Sequence, residues 1–176
     1  MNSLLKNVAA IGMLSALIAC TQSAPKSVST EPKVVQSTTT DTIQLKDTQQ
    51  DEVLKHYFSL KDALVASNAS NAQKEATALI TSLKASPAFA KSVPICDSIA
   101  NTNDLAKQRS AFTNLSNELI AQFSKTSLLK GSFYLQFCPM ANEGNGGYWL
   151  AAEQEVRNPY YGDEMLNCGE VKKTFK

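Results

Sequence analysis

Asp104-Leu105-Ala106-Lys107-Gln108-Arg109-Ser110-Ala111-Phe112-Thr113-Asn114-Leu115-Ser116-Asn117-Glu118-Leu119-Ile120-Ala121-Gln122-Phe123-Ser124-Lys125 is the stretch that decides the fold. Leu105, Phe112, Leu115, Leu119 and Phe123 fall on one stripe at helical spacing, and Ile120 widens it. Aromatic residues on such a stripe read as core. A helix with one apolar face needs partners, and two lie upstream. Thr48 with Asp51 has the spacing of a helix start. Val53, Tyr57, Leu60 and Leu64 then recur on one face, broadened by Leu54 and Phe58. Ser70 with Gln73 repeats the start signal, and Ala76, Leu79, Ile80 and Leu83 form the second stripe. The turn Ser67-Asn68-Ala69-Ser70 is short, so these two helices should pack antiparallel. Pro87 and Pro94 break the pattern, and 85–103 carries no clear element.

Downstream of Gly131 the period changes. Phe133, Leu135 and Phe137 alternate with Tyr134 and Gln136, which predicts a short strand leading into Cys138. Asn142, Gly144, Asn145, Gly146, Gly147, Asn158-Pro159 and Gly162 then mark a tail of turns. The expected fold is mainly α: a small bundle of three main helices, with a short strand and an ordered, loop-rich C-terminal segment, spanning 43–176.

The first 42 residues read differently. Met1 to Asn7 carries one positive charge, Lys6, and Val8 to Leu17 is an apolar run too short to span a bilayer as a helix. Leu17-Ile18-Ala19-Cys20 resembles a bacterial lipobox, which implies cleavage after residue 19 and lipidation of Cys20. A multiply acylated cysteine anchors stably because more than one chain is buried. Thr21 in place of Asp, by resemblance to lipoprotein sorting rules, implies the outer membrane, with the domain facing the periplasm or, alternatively, the cell surface. Residues 20–42 form a tether rich in Ser and Thr, with Pro25 and Pro32, too polar to offset its ordering entropy.

Charge narrows the partners. Without residues 1–19 the chain has 16 basic and 16 acidic residues and no basic block. Nucleic acid is therefore a poor candidate partner, as is an anionic membrane surface, so membrane association rests on the lipid. Catalysis is also poorly provided for. His56 is the sole histidine, Cys138 and Cys168 are not a Cys-x-x-Cys motif, and Gly144 to Gly147 lacks the ending of a phosphate loop. The expectation is a binding protein, not an enzyme.

Residues 138–169 concentrate costly residue types: two of the four cysteines, two of the four methionines, the one tryptophan and five of the seven glycines. Cys138 and Met140 make a Cys-x-Met pair after the strand, and Met165 and Cys168 a Met-x-x-Cys pair. On a helical turn the second pair shares a face. Two thiolates and two thioethers at one point select Cu(I) or Ag(I) over hard cations. The other reading of Cys138 and Cys168 is a disulfide. It closes a loop of about thirty residues and stabilises by about 3–4 kcal/mol in the chain-entropy model. An oxidising compartment favours the disulfide and the matched methionines favour the metal, so both readings stand. The first expectation is capture of Cu(I) or Ag(I) by Cys138 and Cys168, assisted by Met140 and Met165; the alternative is an interaction module stapled by the disulfide. Cys96 reads as a buried or free thiol.

Cys138-Pro139-Met140-Ala141-Asn142, Gly147-Tyr148-Trp149-Leu150, Glu155-Val156-Arg157-Asn158-Pro159-Tyr160-Tyr161-Gly162 and Met165-Leu166-Asn167-Cys168-Gly169-Glu170-Val171 together resemble a bacterial envelope family classed as a domain of unknown function. The resemblance covers about Asp51 to Lys173, closest in these motifs. That domain occurs alone in lipidated or secreted proteins and appended to adaptor subunits of copper/silver efflux pumps. The resemblance implies heavy-metal handling beside such an adaptor, or docking onto another envelope protein.

Overall fold

The computed structural model describes residues 42–176. The expected signal segment, lipidated Cys20 and tether, up to residue 41, lie outside the described residues. No described helix is long and apolar enough to cross a membrane.

The three expected helices are α1 (Thr48–Val65), α2 (Ala69–Lys84) and α4 (Leu105–Phe123). Their stripes bury as the spacing dictates: Val53, Tyr57, Leu60 and Leu64, then Ala76, Leu79 and Leu83, then Phe112, Leu115, Leu119 and Phe123 share one core. The caps differ from the expected ones by one or two positions. Asp47 accepts from the backbone N–H groups of Gln49 and Gln50, and Asn68 accepts from that of Asn71. Each satisfies donors that the first helical turn leaves open. Asp104 caps α4 in the same way.

The α1–α2 turn is tight because Ser67 takes a left-handed conformation, φ 52°. Ser67 N donates to Leu64 O and Asn68 N to Ala63 O, at 3.1 and 3.0 Å. These two bonds close the end of α1 as a Schellman motif. Serine replaces the usual glycine there, and its hydroxyl accepts from Arg109 Nη2 of α4 at 2.9 Å.

A fourth helix, α3 (Ser92–Ala100), occupies the stretch without a clear sequence signal. Pro94 is its third residue, where the missing N–H is one that no intrahelical acceptor needs, so it does not break the helix. Cys96 and Ile99 bury against α2 and α4.

The C-terminal segment is built on a sheet. β1 (Gln44–Leu45) and β2 (Leu128–Lys130) form a small antiparallel pair. β3 (Phe133–Cys138), β4 (Gly147–Ala151) and β5 (Glu170–Phe175) form a second antiparallel sheet in the order β4-β3-β5. The alternation of a strand places Phe133 and Gln136 on opposite faces. Phe133 meets Phe123 of α4 at a centroid distance of 6.4 Å. On the other face Gln136, fully buried, donates through Nε2 to the carbonyls of Glu153, Gln154 and Glu155 at 3.0–3.2 Å. Phe133 thus packs on α4, the carbonyls of 153–155 close over Gln136, and Tyr148 of β4 stays 40% exposed.

The paired cysteines and the clamps around them

Cys138 ends β3 opposite Gly147 of β4. Cys168 lies two residues before β5, the strand on the other flank of β3. Strand pairing thus returns the chain to the point where the loop began. The two Sγ atoms are 2.8 Å apart. Cys138 is fully buried, whereas Cys168 is partly exposed.

Three polar side chains hold this closure. Asn158, fully buried, donates from Nδ2 to Cys168 O at 3.0 Å, and its Oδ1 accepts from Tyr160 N at 2.8 Å. Its backbone N–H donates to Leu166 O at 2.8 Å. Asn142 takes a left-handed φ of 53°, donates to Gly146 O and accepts from Thr113 of α4, both at 2.8 Å. Arg109 of α4 donates from Nε to Pro159 O at 3.0 Å. Gly162, at φ 58°, has the positive φ expected of that turn. A Cβ there would lie 2.4 Å from Ser67 Oγ and 2.8 Å from Val65 O, so the loop packs directly on the α1–α2 turn.

Trp149 lies buried beneath the loop, edge-on to Tyr160 at 5.9 Å. A Cβ at Gly169 would be 3.1 Å from its ring. The expected acceptor for its indole N–H is not found among the described residues. Tyr160 bridges outward, donating to Tyr148 O at 2.7 Å and packing on Phe112 at 6.0 Å.

The methionines sit at the rim. Met140 is 50% and Met165 41% exposed, against the fully buried Cys138. Gly162–Met165 is a 3-10 turn, and Cys168 N donates to Met165 O at 3.0 Å, which keeps the expected i, i+3 relation. Tyr161 OH donates to Met140 O at 2.6 Å. The Cys168 thiol is raised above its ordinary value, first by its hydrogen bond with Cys138 and then by burial, while the Met140 backbone opposes this. Cys96 belongs elsewhere. Its Sγ donates to Ala76 O at 3.4 Å, and burial pushes its thiol up to about 12.

The donor set can be tested against a soft ion. Metal–sulfur bonds of about 2.3 Å spanning a 2.8 Å separation would subtend an angle of about 75°. A tetrahedral site needs its sulfurs about 3.8 Å apart. As placed, the two sulfurs do not fit an ion between them. Among the described residues no three His, Cys, Asp or Glu side chains gather to hold one.

Beside the loop, a cleft of about 500 Å³ opens between α4 and the turns, lined by Arg109, Ser110, Asn142, Glu143, Tyr161 and Glu164. Neither Arg109 nor Asn158 has a periodic signature, so sequence spacing does not find them. Asn158 is marked by its Asn-Pro turn and by its place in the motif Glu155 to Gly162.

No curated protein and no solved structure matches the chain. A family model described as "Protein of unknown function (DUF3347)" matches residues 53–131, which is 79 of the 176 residues. The match runs from α1 to the turn after β2 and ends before Cys138. The similarity to this family therefore rests on the helices, whereas the sequence motifs had placed the closest resemblance in the C-terminal segment.

Proposed function

We propose that this chain is an envelope lipoprotein whose domain is a non-catalytic interaction module, with its C-terminal segment closed by a Cys138–Cys168 disulfide. One observation carries the reading: the 2.8 Å approach of the two Sγ atoms at the base of a clamped loop. As placed both are free thiols, and their separation lies between thiol–thiol contact and a bond of about 2.05 Å. A staple suits a segment that must keep its shape at the surface, because it removes about 3–4 kcal/mol of loop entropy from the unfolded chain. The partner is an envelope protein, and the resemblance to domains appended to heavy-metal efflux adaptors nominates such an adaptor. The lipobox-like Leu17-Ile18-Ala19-Cys20 supports an outer-membrane anchor through Cys20, with the domain facing the periplasm. Cys20→Ser is the test of the anchor: the variant should leave the membrane fraction, and a variant still bound there would refute it.

A second reading keeps a specific observation. Met140 and Met165 are both exposed, and the backbone of each lies beside the partly exposed Cys168. In the reduced chain, opening the sulfurs by about 1 Å would let Cys138 and Cys168, assisted by Met140 and Met165, take Cu(I) or Ag(I) as cargo. Titration of the fully reduced chain with Cu(I) tests this. Tight binding lost in Cys168→Ser but only weakened in Met165→Leu supports the ion; binding indifferent to both removes it.

A further inference from the structure

The two sulfurs are not equivalent. Cys138 is fully buried at the end of the central strand β3, between β4 and β5. Its surroundings are tight. A Cβ on the facing Gly147 would come within 2.6 Å of the Tyr160 ring and 2.9 Å of Ala141 Cβ. Cys168 sits on the far side of the pair, partly exposed, in the run after the 3-10 turn where Met165, Asn167 and Glu170 are all exposed. Thiol–disulfide exchange requires a nearly in-line approach to the attacked sulfur, so access decides which cysteine reacts. A reagent from solvent has a path to Cys168 and none to Cys138.

From this we infer that Cys168 is the site at which the chain exchanges with an external disulfide, and that Cys138 is the resolving thiol. The inference rests on the disulfide reading above. The substrate class is an accessible disulfide, RS–SR. In the first step the Cys168 thiolate attacks one sulfur of RS–SR. A Cys168–S–S–R bond forms, the old S–S bond breaks, and one thiolate leaves with its electron pair. In the second step the Cys138 thiolate, already within 2.8 Å, attacks Cys168 Sγ and expels the second thiolate. Two cysteine thiols are oxidised to one disulfide, one external disulfide is reduced to two thiols, and the two protons pass to the released thiolates. In reverse, an external thiolate opens the staple at Cys168 and Cys138 leaves. Newly exported chains carry thiols into an oxidising compartment, so the reaction that must act on them is a disulfide donor of this class.

The test uses the full chain, reduced and then exposed to glutathione disulfide at neutral pH, quenched with acid and mapped by peptide mass spectrometry. Cys138→Ser should accumulate a stable glutathione adduct on Cys168, since nothing resolves it. Cys168→Ser should carry no adduct on Cys138 over the same time. Because a buried substitution at 138 can disturb packing, the unmodified chain is also followed by rapid quench, where a transient adduct should appear on Cys168 and vanish as the staple closes. An adduct first seen on Cys138, or equal on both, overturns the inference. Mapping the native chain without reductant separates the two levels. A 138–168 disulfide with the wrong adduct sinks only the order of attack, whereas no such disulfide sinks the staple as well.

Discussion

Tyr57 of α1 stacks on Phe112 of α4, with ring centroids 5.3 Å apart and planes 18° from parallel. The same tyrosine shares a hydrogen bond with Ser116 Oγ at 2.7 Å and accepts from Leu150 N of β4 at 3.2 Å. One side chain thus joins both helices to the sheet. Phe112 in turn touches Tyr160, which lies over Trp149. The aromatic chain runs from the helical core to the floor of the loop between Cys138 and Cys168. Phe112→Ala should therefore cost about 3–5 kcal/mol in urea unfolding, as expected when a buried ring leaves a cavity. A loss under about 1 kcal/mol would be far below that range and would detach Phe112 from the centre of the core.

Lys61 is a fully buried lysine, paired with Glu153 after β4 and with Asp62 at 2.6 Å. The pair is unequal, because the Glu153 side chain is 30% exposed and Lys61 not at all. Removing both acids strands a buried charge, while removing the lysine leaves acids that water can reach. Glu153→Ala combined with Asp62→Ala should approach the cost of a broken buried pair, about 3–5 kcal/mol, and Lys61→Met should cost about 1 kcal/mol or less. Equal losses in the two variants would contradict this asymmetry.

Burial holds the Cys96 thiol at about 12 against an ordinary value of 9.0. The folded state keeps this proton where the unfolded state has lost it. The stabilisation is complete below about pH 9 and is lost as pH rises toward about 12. With the staple closed, stability should start to fall above pH 9, the slope approaching about 1.4 kcal/mol per pH unit for one proton. Burial also raises Tyr57 and Tyr160, and they add to the fall above their ordinary value of 10.0. Cys96→Val should remove the earliest part of this decline. Superimposable stability–pH curves for the two proteins between pH 9 and 10 would contradict it.

Apolar periodicity made α1, α2 and α4 legible, since each buries a stripe of large residues. It did not reveal α3, because Pro87 and Pro94 look like breakers until Pro94 is seen to occupy the first turn. β4 was hidden as well: Trp149, Leu150 and Ala151 are consecutive and all buried, so they show no alternation. β5 reads as a polar tail, with only Val171 and Phe175 apolar. At the site, composition pointed to Cys138 and Cys168, and the turn-rich loop implied that its ends meet. The polar groups that hold the ends together, Asn158, Asn142 and Arg109, reach partners 10, 29 and 50 positions away, which a linear pattern does not record.

The staple itself is the central claim, and differential alkylation of the native chain tests it most directly. The chain is unfolded without reductant and labelled with iodoacetamide, then reduced and labelled with N-ethylmaleimide, and each cysteine peptide is mapped. Cys96 should carry the first label, and Cys138 and Cys168 only the second. Cys138 and Cys168 both carrying the first label would show two free thiols and contradict the account.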